Sequence, residues 1–75
     1  MLLPDNIRPE LCVYYNGAIV LSELNKNPSQ NILDLYSRIV ERHDMTFSMY
    51  ILSLDWLYII DFAKIDEEGV VRKCL

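Results

Sequence analysis

Histidine, cysteine, serine and carboxylate side chains are the groups with which a small protein could do chemistry, and this 75-residue chain has only one histidine and two cysteines among them. Acyl transfer through a serine, histidine and aspartate would have to use His43, the single histidine. No serine lies in the strand-to-helix turn that exposes a nucleophile, and no glycine-rich loop offers donors to an oxyanion. His43 reads instead as a side chain at the C-terminal end of a helix, where positive charge is favoured. A metal site needs three or four convergent ligands, whereas Cys12, Cys74 and His43 occur singly. Cys12 reads as a small core hydrophobe. Asp66, Glu67 and Glu68 lack the spaced oxygen ligands of a calcium loop and read as a solvated turn. With two glycines in the whole chain there is no loop to cradle a phosphate. The inventory points away from an enzyme and implies neither cofactor nor metal.

Function must then reside in a surface. Hydrophobic residues make up 52% of the chain, with five Tyr, two Phe and one Trp, and only 24% of residues are charged. That excludes disorder and implies one folded domain over residues 1–75. A chain of this length recovers only about 60% of its unfolded surface on folding, so the apolar supply exceeds what one small body can hide. Seven Lys and Arg against eleven Asp and Glu leave a net charge of -4, the wrong sign for wrapping nucleic acid or docking on anionic lipid. The longest apolar stretch, Met49 to Ile60, contains Asp55 and falls short of the ~20 residues of a membrane helix. Met1-Leu2-Leu3-Pro4-Asp5-Asn6 lacks the basic and apolar regions of a signal peptide, and two cysteines are too few for a disulfide framework. A soluble, cytoplasmic protein without a small-molecule substrate is the expectation.

The elements follow from spacing. Pro9-Glu10 suits a helix start and Asn25-Lys26-Asn27-Pro28 a stop, with Leu11, Tyr14, Tyr15, Ala18 and Leu21 on one helical face between them. Within residues 11–21, Asn16-Gly17 flanked by apolar residues is also a strong hairpin signal. The flanks do not alternate apolar with polar, and Ser22-Glu23-Leu24 continues past a usual strand length, which favours helix. In a second helix capped by Ser29, the residues Ile32, Leu35, Tyr36, Ile39, Val40 and His43 climb one face, and Asp34 stands four residues before Arg38 on the other. A third, capped by Thr46, runs from Phe47 to about Asp61. Ala63–Asp66 and Val70–Lys73 then form a hairpin through Glu67-Glu68-Gly69. Three helices followed by a C-terminal wing make a mainly α chain with a small β-hairpin, like a winged helix-turn-helix.

The third helix carries the information. At 100° per residue its apolar positions form two opposed ladders. Phe47, Tyr50, Ile51, Leu54, Leu57 and Tyr58 make one, and Met49, Leu52, Trp56, Ile59 and Ile60 the other. Only Ser48 with Asp55 on one seam and Ser53 on the other separate them. A helix apolar nearly all round must be buried nearly all round, and the rest of the chain can cover one side. A DNA-reading helix would need Arg, Lys, Asn or Gln, and none occurs from His43 through Ala63. Lys64, Arg72 and Lys73 are the candidates for a phosphate contact. The apolar helix is suited to a protein partner, with Met49, Leu52, Trp56 and Ile60 as the expected interface, Tyr50 and Tyr58 beside them, and Asp55 either meeting a partner's donor or remaining wet.

Leu3-Pro4 with Ile7, Gly17-Ala18 with Leu21 and Leu24, then Pro28, and above all Phe47 followed by Tyr50-Ile51-Leu52-Ser53-Leu54-Asp55-Trp56-Leu57-Tyr58-Ile59-Ile60, resemble the small middle components of bacterial ABC-three-component systems. Asp61 departs from that pattern, which has Gly there. The resemblance implies a winged-helix-like, non-catalytic accessory subunit of a Lamassu-like antiphage defence complex. It would link an SMC- or RecN-like ATPase to an effector nuclease and meet DNA only through the complex. A winged-helix transcriptional regulator that binds DNA directly is the alternative, and a homodimeric toxin-neutralising or adaptor protein using the same apolar face against itself is a third reading.

Overall fold

The computed structural model describes residues 12–74, with three α-helices and a small antiparallel sheet. Helix α1 (Val13–Lys26) draws the Asn16-Gly17 pair into its first turns instead of a hairpin. Asn16 Nδ2 donates to the Cys12 carbonyl at 2.8 Å, so the side chain that could have shaped a turn is bound along the helix. Cys12 is extended and the helix starts at Val13; the start read at Pro9-Glu10 lies outside the described residues. At the other end the extended Asn27, with Pro28 after it, stops the helix as expected.

The wing has one strand more than the sequence suggested. Strand β1 (Ser29–Asn31) precedes helix α2 (Ile32–Val40) and pairs with β3 (Val70–Lys73), whose other edge pairs with β2 (Ala63–Ile65), giving the order β1-β3-β2. Ser29, expected to cap α2, lies opposite Arg72 in the sheet. Asn31 is the cap, its side-chain oxygen accepting from the backbone N–H of Leu33 at 2.9 Å and of Asp34 at 3.4 Å. Strand β1 is three polar residues, too short for any apolar alternation. It is held by what surrounds it. Gln30 is buried, donating to the carbonyls of Glu23 at 3.1 Å and Asn27 at 2.8 Å and accepting from Arg38. Arg38 therefore serves the sheet instead of pairing with Asp34 along α2.

Helix α3 (Phe47–Ile59) starts where Thr46 Oγ1 accepts from the Met49 N–H at 3.1 Å. It ends two residues before the expected Asp61. Asp61 adopts φ 62°, its N–H donating to the Tyr58 carbonyl at 3.1 Å, while the Phe62 N–H donates to the Leu57 carbonyl at 2.8 Å. This pair of bonds is the helix stop that normally uses glycine in the left-handed conformation. Aspartate is among the few other residues that tolerate it. The β2–β3 turn is organised by Asp66, whose Oδ1 accepts from the N–H groups of Glu68 at 2.9 Å and Val70 at 3.0 Å, with Gly69 at φ 77°.

The core lies where these elements converge. Val20 and Leu24 from α1, Leu35 and Ile39 from α2, Met45 from the loop before α3, Tyr50, Leu54 and Leu57 from α3, and Ala63 and Val71 from the sheet form one buried cluster. Helices α1 and α3 make the most extensive contact. Gly17 sits there directly beneath the Trp56 ring, where a Cβ would stand 2.6 and 2.7 Å from its Cε3 and Cζ3 atoms. The architecture is a mainly helical, winged-helix-like one.

Candidate functional site

Two apolar ladders of nearly equal size do not by themselves choose which side of α3 turns inward. The polar seams choose it. Ser53 carries one hydroxyl, which donates to the Met49 carbonyl at 2.8 Å and is thereby satisfied without water. Asp55 would carry a charge into the core, which costs far more. The helix accordingly buries the Ser53 seam and turns the Ser48 and Asp55 seam to water. Each ladder is split lengthwise: Tyr50, Leu54 and Leu57 are buried with Ser53, Met49, Trp56 and Ile60 pack half-buried against the core, and the remainder faces out.

This rotation places the six expected interface residues in three different settings. Tyr50 is 0% exposed and belongs to the core, its hydroxyl donating to the Ile32 carbonyl and its ring packed between Tyr36 and Phe47. It has no surface to offer, and burial raises its phenol well above the ordinary tyrosine range. Met49, Trp56 and Ile60 are flanking residues; Trp56 is held between Gly17 and the Tyr14 ring, whose centroid is 5.3 Å away. Leu52 and Tyr58 are the two that stand out in solvent, at 55% and 58% exposed.

Beside them lie residues outside the expected interface. Ile51, Ile59 (69% exposed) and, from β2, Ile65 are large apolar side chains on the same outer surface. Ile51, Leu52, Leu54, Asp55, Tyr58 and Ile65 line a groove of about 380 Å³. The signal that could have found it was the seam: opposite a buried Ser53, the exposed strip must run through Asp55. Among the described residues the Asp55 side chain has no hydrogen bond or ion pair. A second, smaller groove of about 200 Å³ lies between α1 and the end of α3, lined by Tyr14, Trp56, Ile60 and Phe62 among others.

The three candidate phosphate contacts do not all share one face of the sheet. Arg72 is bound to Asp66 Oδ2 at 3.1 Å and to Ser29 Oγ at 3.3 Å. Lys64 pairs with Arg72 across the strands, while Lys73 falls on the opposite face of β3. The carboxyl of Asp66 is held below the usual aspartate range, chiefly by the Val70 N–H; desolvation opposes this, and the Glu68 N–H and Arg72 add to the lowering.

Cys12 is buried and Cys74 half-buried, both as free thiols. Among the described residues no three His, Cys, Asp or Glu side chains converge as metal ligands would. His43 lies just beyond α2, its backbone N–H donating to the Ile39 carbonyl at 2.9 Å, and its side chain lines a polar groove with Tyr15 and Arg42. Among the described residues no helix is long and apolar enough to cross a membrane.

Against known families, residues 3–74 match the model of the ABC-three component (ABC-3C) system Middle Component 6. No curated protein and no solved structure matches the chain.

Proposed function

The chain belongs to the Middle Component 6 family of ABC-three-component systems, an accessory subunit with protein partners, and from that premise we propose that it joins an SMC-like ATPase to an effector nuclease in cytoplasmic antiphage defence. The outer face of α3 is the docking surface and the chain itself is not an enzyme. One observation carries this reading: Leu52, Tyr58 and Ile59 stand more than half exposed along one side of a single helix, with Asp55 between them. Isolated exposed hydrophobics are ordinary, but a continuous strip on a single element is the mark of an interface.

The test is coexpression with the other two components of its system. The wild-type chain copurifies with them in fixed stoichiometry, and Leu52→Asp abolishes this while leaving the far-ultraviolet circular dichroism and unfolding midpoint near wild type. A wild-type chain that ignores both components refutes the reading. Direct DNA binding by a winged-helix regulator has the architecture in its favour. Against it, the outer face of α3 offers no base-reading side chain, and Arg72 is already paired with Asp66.

A further inference from the structure

Asp55 lies one turn from Ile51 and Ile59 and three residues from Leu52 and Tyr58, so its carboxylate sits in the middle of the exposed apolar strip. Any partner that buries those four side chains also covers Asp55. A carboxylate removed from water has to meet a compensating group, because an unpaired buried charge is among the costliest features an interface can contain. Among the described residues none provides one, since no ion pair or side-chain hydrogen bond reaches Asp55. Among the described residues Lys26 and Arg42 pair with Glu23, Arg38 with Gln30, and Arg72 with Asp66. Lys64 alternates with Ile65 along β2, on the side away from the groove, while Lys73, opposite Ala63 on the same sheet face as Ile65, makes no ion pair with Asp55.

A second copy of the chain does not supply it either. A two-fold contact uses the same patch on both subunits, and with Asp55 at the centre of the patch it would press one carboxylate against the other. Resting on the interface reading above, we propose that the segment docking on α3 belongs to a different protein and carries an arginine or lysine among apolar side chains, seated against Asp55. The same carboxylate keeps a second copy out. The apolar rim supplies contact area; the charge sets register and selects the partner.

Coexpression of the full chain with the two other components tests this, with Asp55→Asn and Asp55→Arg compared against wild type and Leu52→Asp. Asp55→Asn keeps the shape and removes the charge, and it should weaken assembly at least about thirtyfold, the lower end for breaking a buried charge pair. Asp55→Arg should abolish assembly, and reversing the facing basic residue, located by cross-linking, should restore it. If Asp55→Asn assembles like wild type while Leu52→Asp fails, the partner brings no cation and this proposal falls while the interface reading stands. If the wild-type chain binds neither component, both fall. If Asp55→Asn instead binds the components more tightly, the carboxylate only opposes docking and the proposal is overturned.

Discussion

At the scale of single residues, three positions decide how one helix ends, how two helices pack and how the wing turns. Asp61 occupies a left-handed conformation at φ 62° with its carboxylate at the negative end of the α3 dipole, two unfavourable features at one site. Asp61→Gly should raise stability by about 1 kcal/mol, read as a higher urea midpoint at unchanged slope; a lower midpoint would show that the carboxylate makes an interaction that offsets both. Gly17 presents the opposite case. Alanine at an exposed helix position would gain about 1 kcal/mol over glycine, but here its Cβ would enter the Trp56 ring at 2.6 Å. Gly17→Ala should therefore lower stability by about 1–3 kcal/mol, accompanied by a shift in tryptophan fluorescence as the ring is displaced. Asp66 fixes the wing turn. Its folded pKa is depressed, so the stability it contributes is present above the ordinary aspartate range and is lost as pH falls through the folded value. Asp66→Ala should unfold more easily at neutral pH and show a flatter acid limb than wild type in thermal melts from pH 7 to pH 2.

Among the elements, α3 shows what sequence can and cannot reveal. The caps at Thr46, the stop near Asp61, the hairpin around Gly69 and the helical nature of residues 13–26 all follow from local chemistry, because each depends on residues within a few positions of one another. Strand β1 does not: Ser29-Gln30-Asn31 has no pattern of its own and exists because Val70–Lys73 offers an edge and Gln30 finds the carbonyls ending α1. The rotation of α3 is a third kind of information. Both ladders were legible, but reading them as two intact faces assigned Tyr50 and Trp56 to the surface, whereas the Ser53 seam turns in and carries the adjacent half of each ladder with it. The rotation makes a sharp prediction. Leu57→Ala, on the inward line, should cost about 2–5 kcal/mol, whereas Ile59→Ala, two residues away and equally apolar, should cost less than about 0.5 kcal/mol, measured by urea unfolding of each purified variant. Comparable losses at both positions would mean that α3 is buried on both sides in the isolated chain.

For the molecule as a whole, the surplus of apolar residues and the net charge of -4 act together on what the chain will associate with. The isolated protein should show no salt-sensitive affinity for duplex DNA even at low ionic strength; a slope of log affinity against log salt reflecting several phosphate contacts would instead restore the regulator reading. Self-association is the more demanding question, because the strip of Ile51, Leu52, Tyr58 and Ile59 would ordinarily be an aggregation hazard. One carboxylate at its centre is enough to oppose a two-fold contact, since the symmetric arrangement brings both copies of Asp55 together at the axis, where water is most completely removed and their repulsion least screened. Asp55→Leu removes that repulsion and joins the strip into one uninterrupted apolar surface, while the exposed position leaves the core untouched. Sedimentation velocity at micromolar concentration should find the wild-type chain monomeric and Asp55→Leu dimeric or larger, with Asp55→Asn between them. Equal sizes for all three would mean that the shape of the surface, and not its charge, keeps the copies apart.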